Sequence, residues 1–287
     1  MYLGLDLGTG SAKALLLDAN GATVGETSAA YHAVSPHAGW SEIDPEIWLQ
    51  ALTTCVQALP AGARAAVKGI GLSGQMHSVV LSDAQGNALR PAVLWLDTRA
   101  VAQLARYPTL ADSLKRLGNA PSAGMAGPIL LWLAEHEPIG LQAARWALQP
   151  KDWLRLRLTG IAGSEASDAS GTLLADRQGR WDRSLLETLG LPDRLLAPHF
   201  ASHEAAGTLT ASLAAAWGLP AGIPVAAGGG DTPVAALGSG LLLDGSAQLT
   251  TGSGAQIVVL RHTLPAPSAK LNCYRTAAPP ELPRWYT

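Results

Sequence analysis

The segment Asp6-Leu7-Gly8-Thr9-Gly10-Ser11-Ala12-Lys13 sets a carboxylate, two glycines, two hydroxyls and an amine close together. A Gly-Thr-Gly hairpin turn points backbone N–H groups into a common space, and glycine lets a phosphate approach the backbone closely. Thr9 or Ser11 adds a hydroxyl donor. Asp6 stands just before the turn, where a carboxylate can hold Mg²⁺ directly or through water. Lys13 alternates onto the same strand, within reach of a phosphate. An ordinary tight hairpin would use the same glycines for geometry alone. A second acid, Asp231, follows Gly228-Gly229-Gly230 at the start of a helix. Glycines leave room for a substrate beside it, and the helix N-terminus favours its charged form. Such a carboxylate can orient and deprotonate an attacking hydroxyl, bind the same metal as Asp6, or simply cap the helix. Gln75-Met76-His77 ends a strand at a glycine. Its amide and imidazole suit sugar hydroxyls, with Met76 on the carbon face; a structural histidine is the alternative. Asp97 and Arg99 form a polar pair near the same sheet end, for substrate or as a plain ion pair.

Other chemistries lack their residues. Gly8-Thr9-Gly10 starts like a dinucleotide motif, but Lys13 stands where glycine or alanine is needed and no helix follows. No Gly-Lys-Ser/Thr occurs, so there is no P-loop. His199 and His203 are four apart without an intervening glutamate after His199, so they read as no metal site. Net charge is −2, which excludes a large positive field for nucleic acid. Hydrophobic residues make up 48% and charged residues 15%, enough apolar material for a real core. No stretch has the length of a membrane span or the pattern of a signal peptide. With the unclustered Cys55 and Cys273, these features point to a cytoplasmic protein.

These residues need elements to carry them. Strands are expected over Tyr2–Leu7, Ala12–Asp18 and Ala22–Ala30, turned at Gly8–Gly10 and at Asn20-Gly21. Three antiparallel strands at the start argue against a purely doubly wound fold. Asp44-Pro45-Glu46 caps a helix, with Ile47, Ala51, Leu52, Cys55 and Leu59 at helical spacing. Further strands are expected over Val67–Ser73, Ser78–Ser82, Ala92–Leu96 and Ile223–Ala227. The span from Ala100 to Gly218 is mostly helical in pattern, cut by prolines. Thr232-Pro233 starts a helix.

Leu249 to Leu260 can be laid on Leu5 to Leu16 at a constant offset, with Gly252-Ser253-Gly254 falling on Gly8-Thr9-Gly10. This strand–turn–strand repeat marks residue 245 as the start of a second unit built like the first. Its Gly252, Ser253 and Gly254 become phosphate candidates facing the first turn. Residues 245–287 cover a hairpin and one more strand, Leu271–Thr276, short of a sheet with its helices. The expected organisation is therefore one domain over 1–244 and the opening strands of another over 245–287. Unpaired edges there predict a homo-oligomer.

The ordered series of motifs resembles the FGGY carbohydrate kinases. It comprises Asp6–Gly10, Gly39-Trp40-Ser41-Glu42-Ile43-Asp44-Pro45, Gly71-Leu72-Ser73-Gly74-Gln75-Met76-His77 and Leu94–Arg99. It continues through Pro150-Lys151-Asp152-Trp153, Ser167-Asp168-Ala169-Ser170-Gly171-Thr172 and Gly228–Asp231. The Gly-Gln-Met-His loop is most similar to the xylulokinase branch. The resemblance implies α/β, ribonuclease H-like domains with a mixed sheet, of the actin-like ATPase superfamily, closing on a cleft. It implies ATP and Mg²⁺, a small-molecule sugar substrate, Asp231 as base, and Met76 and His77 as sugar contacts. It also implies Asp6 near Mg²⁺ and both glycine turns near the phosphates. Thr232 stands where xylulokinases often have asparagine, a sugar-holding position. D-xylulose is the expected acceptor; ribulose, glycerol or gluconate, or sugar binding without catalysis, are the alternatives. The family's adenine-binding stretch is not expected within these 287 residues.

Overall fold

The computed structural model describes residues 1–251 and 255–287. Three strands open it: β1 (Tyr2–Leu7), β2 (Ser11–Leu17) and β3 (Thr23–Ala30), each antiparallel to the next. Leu3, Leu5 and Leu7 alternate to the buried face of β1, which leaves Gly4 and Asp6 on the other. Asp6 lies directly opposite Lys13 in this register. At the second turn Gly21 takes a φ of 82°, and the Asp18 carboxylate accepts from the amides of Asn20 and Ala22.

Four more strands complete the main sheet: β4 (Ile70–Gly74), β5 (Ala205–Thr208), β6 (Pro224–Ala226) and β7 (Gly229–Gly230). Their order is β3-β2-β1-β4-β6-β5. β7 takes the place of β6 beside the far end of β4. β1, β4, β6 and β7 run parallel, and the flanking pairs antiparallel. Gly228 makes the step from β6 to β7: its φ is +80°, and a Cβ there would sit 2.3 Å from the Leu72 carbonyl oxygen. Only glycine allows this passage.

Helix α1 (Pro45–Ala58) starts as expected, with Asp44 accepting from the Glu46 amide. It presents Trp48, Leu52, Cys55 and Val56 to the leucine face of the sheet. α2 (Pro150–Thr159) joins the same core, where Trp153 meets Trp48 at 6.1 Å between rings. The middle span is less helical than its pattern: it contributes edge strand β5 and a short strand, Trp146–Leu148. The strand expected to reach Leu96 ends at Val93, because the Asp97 amide turns back onto the Leu94 carbonyl. Trp95 is left 43% exposed.

The tail forms its own antiparallel sheet. It contains β8 (Ala247–Thr251), β9 (Ala255–Arg261), β10 (Tyr274–Arg275) and β11 (Trp285–Tyr286), in the order β8-β9-β11-β10. The repeated hairpin is present with a shifted register. Leu7 pairs with Ala12, enclosing four residues, whereas Thr251 pairs with Ala255, enclosing three. Gly252, Ser253 and Gly254, proposed from sequence to face the first turn, lie outside the described residues. Val258, Leu260, Tyr274 and Tyr286 bury themselves against Ile129, Leu133 and Leu174 in a second core. Among the described residues, no helix is long and apolar enough to cross a membrane.

Candidate active site

Three separated stretches of sequence converge because each follows the carboxyl end of a parallel strand. The Gly8–Gly10 turn leaves β1, Gln75-Met76-His77 leaves β4, and Asp231 follows β7. That end is where open α/β sheets place ligands.

The first turn is held from below. The Gly8 amide donates to the Ser11 carbonyl at 3.0 Å, and the Gly8 carbonyl accepts from Tyr31 Oη at 2.5 Å and Gln75 Nε2 at 3.3 Å. A Cβ on Gly8 would stand 3.1 Å from the Ser11 oxygen, while one on Gly10 would meet nothing. Glycine at position 10 is thus not demanded by neighbours, and its backbone is open to an approaching group. The Thr9 hydroxyl accepts from Trp95 Nε1 at 3.0 Å.

His77 occupies the left-handed region, φ 72°, with the Ser78 amide closing onto the Met76 carbonyl around it. A non-glycine residue there stores strain, which is found chiefly where function holds it. His77 Nδ1 lies 2.7 Å from the Gly171 carbonyl, which can only accept. The ring therefore carries its proton on Nδ1 and keeps Nε2 as an acceptor. Burial pushes the His77 pKa down, against the Gly171 bond, so the neutral form persists at neutral pH.

Asp231 is in the first turn of helix α3 (Asp231–Gly238), with Gly230, not Asp231, in the capping position. Its Oδ1 accepts from the Thr232 amide at 2.7 Å, leaving Oδ2 for another donor. Burial raises its pKa above its ordinary value, and the nearby Asp6 charge adds to this, against the Thr232 bond. A base whose proton affinity is raised is a better acceptor.

Asp231 is shared by two cavities. One, of about 370 Å³, is lined by Asp231 and Thr232 with Met76 and His77, and by Thr9 and Trp95 from the opposite side. Gln256, Asn272, Tyr274 and Tyr286 of the tail close it. The other is a groove of about 830 Å³ across the open face of the sheet, walled by Asp6, Lys13, Ser73, Gly228 and Asp231. Val234, Leu237, Leu242 and Leu282 form its apolar side. Asp6 and Asp231 thus offer hard oxygen donors to one groove, a set that suits Mg²⁺ shared with phosphate oxygens. Among the described residues there is no group of three or more metal ligands.

Several sequence-proposed residues do not reach these walls. Gln75 is 1% exposed and spends its amide on the Gly8 carbonyl and the Ser78 hydroxyl. Asp97 accepts from the Ser41 amide at 2.6 Å and from Arg99. Arg99 lies 3.6 Å over the Trp40 ring and 2.7 Å from Glu42. The pair is a buried clamp on Trp40, Ser41 and Glu42 and lines neither of these two cavities. Thr9, proposed for phosphate, lines the smaller cavity. Ser11 sits in β2 opposite Ala30. Conversely, Gln256, Asn272, Tyr274 and Tyr286 escaped motif reading, since they carry no spacing of their own, and Trp95, though within the Leu94–Arg99 motif, was not singled out for the site.

Behind the site lies a charged cluster with no access to solvent. Lys151 Nζ stands 2.7 Å from Asp152, 3.0 Å from Asp168 and 3.3 Å from Glu165. Arg155 Nη1 donates to Asp152 and to the Ala227 carbonyl.

A mixed sheet with an acid at a strand end, on a wall shared by two cavities, is the kind of arrangement an actin-like ATPase fold builds. The comparisons agree. Residues 1–238 match the N-terminal domain model of the FGGY family of carbohydrate kinases, and the chain belongs to that family. It is 37% identical to the xylulose kinase of Escherichia coli (strain K12) over 293 residues, covering 100% of this chain and 59% of that protein. The crystal structure of a xyloylose kinase from Brucella ovis superposes with a TM-score of 0.92 at 37% identity, covering 99% of this chain and 59% of the other. A xylulose kinase from Rhodospirillum rubrum gives 0.91 at 28% identity, with the same shares. The chain thus spans a little under three fifths of the length of these relatives.

Proposed function

We propose that this chain forms the sugar side of an ATP-dependent ketopentose kinase, converting D-xylulose to D-xylulose 5-phosphate. The observation that carries this is Asp231, the wall common to both cavities. A sugar held by Met76, His77 and Thr232 points its 5-hydroxyl at Asp231. Asp231 takes the proton, and the oxygen attacks the γ-phosphorus from the groove side, with ADP leaving. His77 Nε2 accepts from a second sugar hydroxyl. Lys13 pairs with the phosphates. Mg²⁺, held near Asp6 and Asp231, would neutralise phosphate charge. The xylulose kinase relatives support the choice of sugar.

A phosphorylation assay with ATP across D-xylulose, D-ribulose, glycerol and gluconate tests it. D-xylulose is expected to show a kcat/KM at least about tenfold above the others. A preference for glycerol or gluconate would overturn the substrate. Calorimetry separates the halves of the site: heat with D-xylulose but none with ATP would assign this chain sugar binding alone.

The free thiols Cys55 and Cys273 support a reducing cytoplasm. β8 is an edge strand with Leu249 64% exposed, and Ile257 on neighbouring β9 is 63% exposed. Such an edge favours pairing with a second copy. Light scattering of this chain is expected to show a dimer or larger species; a clean monomer would contradict it.

A further inference from the structure

The motif Ser167-Asp168-Ala169-Ser170-Gly171-Thr172 lines neither cavity, yet it touches three walls of the smaller one. We propose that Ser167 is a positioning residue for Asp231, fixing the glycine backbone that carries it. This rests on the reading of Asp231 as the base.

Glu165 caps the short helix Ala166–Ala169 and is fully buried. It accepts from the Ser167 amide and hydroxyl, both at 2.7 Å, and from the Ser202 hydroxyl at 2.8 Å. The Gly230 amide can only donate, so Ser167 Oγ accepts there and gives its single proton to Glu165. The lone pairs of Ser167 Oγ then face the Gly230 amide, which donates to it at 3.0 Å. Gly230 is joined to Asp231. It belongs to a run of three glycines, the backbone with most freedom to lose. Pairing with β4 holds one side of this run, and Ser167 holds the Gly230 amide. The surroundings leave no slack: a Cβ on Gly230 would lie 2.6 Å from Met76 Cγ, and one on Gly229 would lie 2.6 Å from Ala277 Cβ.

The same segment reaches the other walls. Ser170 Oγ accepts from the Arg275 amide of the tail at 2.9 Å, and the Gly171 carbonyl fixes the His77 ring. One buried, rigid turn thereby registers base, imidazole and tail. The direct link to the base is Ser167.

A double-mutant cycle on sugar affinity tests this. Ser167→Ala is expected to weaken D-xylulose binding about tenfold, the usual scale for losing a buried hydrogen bond. In an Asp231→Asn background the same change should cost less than about twofold, because a residue acting through another is not additive with it. A merely structural role would give equal losses in both backgrounds, and that result, or no loss in either, overturns the proposal. Ser167→Cys keeps the volume with a weaker acceptor and should fall between; it carries the cycle if the alanine variant does not fold. Amide exchange separates this idea from the sugar reading. Ser167→Ala should speed exchange at Gly230 and Asp231 at least about tenfold while α1 is unchanged, even if D-xylulose does not bind. Unchanged exchange there would overturn the positioning role alone.

Discussion

Asp231→Ala is expected to lower the proposed ATP-dependent phosphorylation of D-xylulose by on the order of 10² to 10⁴, the usual share of a general base, with sugar affinity reduced only about tenfold, the scale of one lost buried hydrogen bond. The reasoning follows from where the carboxylate stands. Asp231 is the acidic group common to the sugar-sized cavity and the groove bearing Asp6 and Lys13. One of its oxygens is already engaged by the Thr232 amide, so the other is free to take a proton. Burial and the Asp6 charge raise its proton affinity. Removing it leaves Met76, His77, Thr232 and the tail residues in place to bind sugar. It also relieves repulsion with Asp6, so the thermal midpoint should not fall. A variant with undiminished turnover would remove Asp231 from the mechanism. A variant that loses sugar affinity in proportion to rate would make it a binding residue.

The second large effect concerns stability. Lys151 is completely buried among Asp152, Glu165 and Asp168, with Arg155 as the only other cation in contact with that cluster among the described residues. Lys151→Met would leave three buried carboxylates facing one guanidinium. Breaking a buried ion pair from one side costs about 3–5 kcal/mol, which for a chain of this size lowers the thermal midpoint by on the order of 10 °C. Asp168→Asn is the contrast. Three carboxylates against two cations leave one surplus negative charge, and burial pushes the Asp168 pKa well above its ordinary value. The folded state therefore keeps a proton that the unfolded chain releases. Its contribution is complete below the ordinary carboxylate range and declines as pH rises above about 4. Asparagine mimics the protonated form, so Asp168→Asn should leave the midpoint at pH 4 nearly unchanged and raise it at pH 8. Thermal melts of both variants across that range check the pair. A Lys151→Met midpoint within a few degrees of wild type, or an Asp168→Asn variant weakest at pH 8, would contradict this charge assignment.

The sequence by itself determined the opening hairpins, helix α1 with its Asp44 cap, the glycine turn after β1, and Asp231 at a strand-to-helix junction. These are local matters: alternation in β1, a capping acid before Pro45, and glycines where the chain must turn leave their marks within a few residues. The repeat at Leu249–Leu260 was legible for the same reason, though not its one-residue change of register, which the pairing of Thr251 with Ala255 decides. Only the tertiary structure decided which polar residues share a space. Asp97 and Arg99 look available in sequence, yet Trp40, Glu42 and the Ser41 amide take them up. Tyr274, Tyr286, Asn272 and Gln256 look like ordinary tail residues, yet the tail sheet folds back and makes them a wall. Ser167 is more than sixty positions from Gly230 in the chain, and only the meeting of a buried turn with β7 brings its hydroxyl to that amide. Motifs record what a backbone needs from its immediate neighbours. A site assembled at the ends of parallel strands depends on contacts between distant segments, which leave no spacing to read.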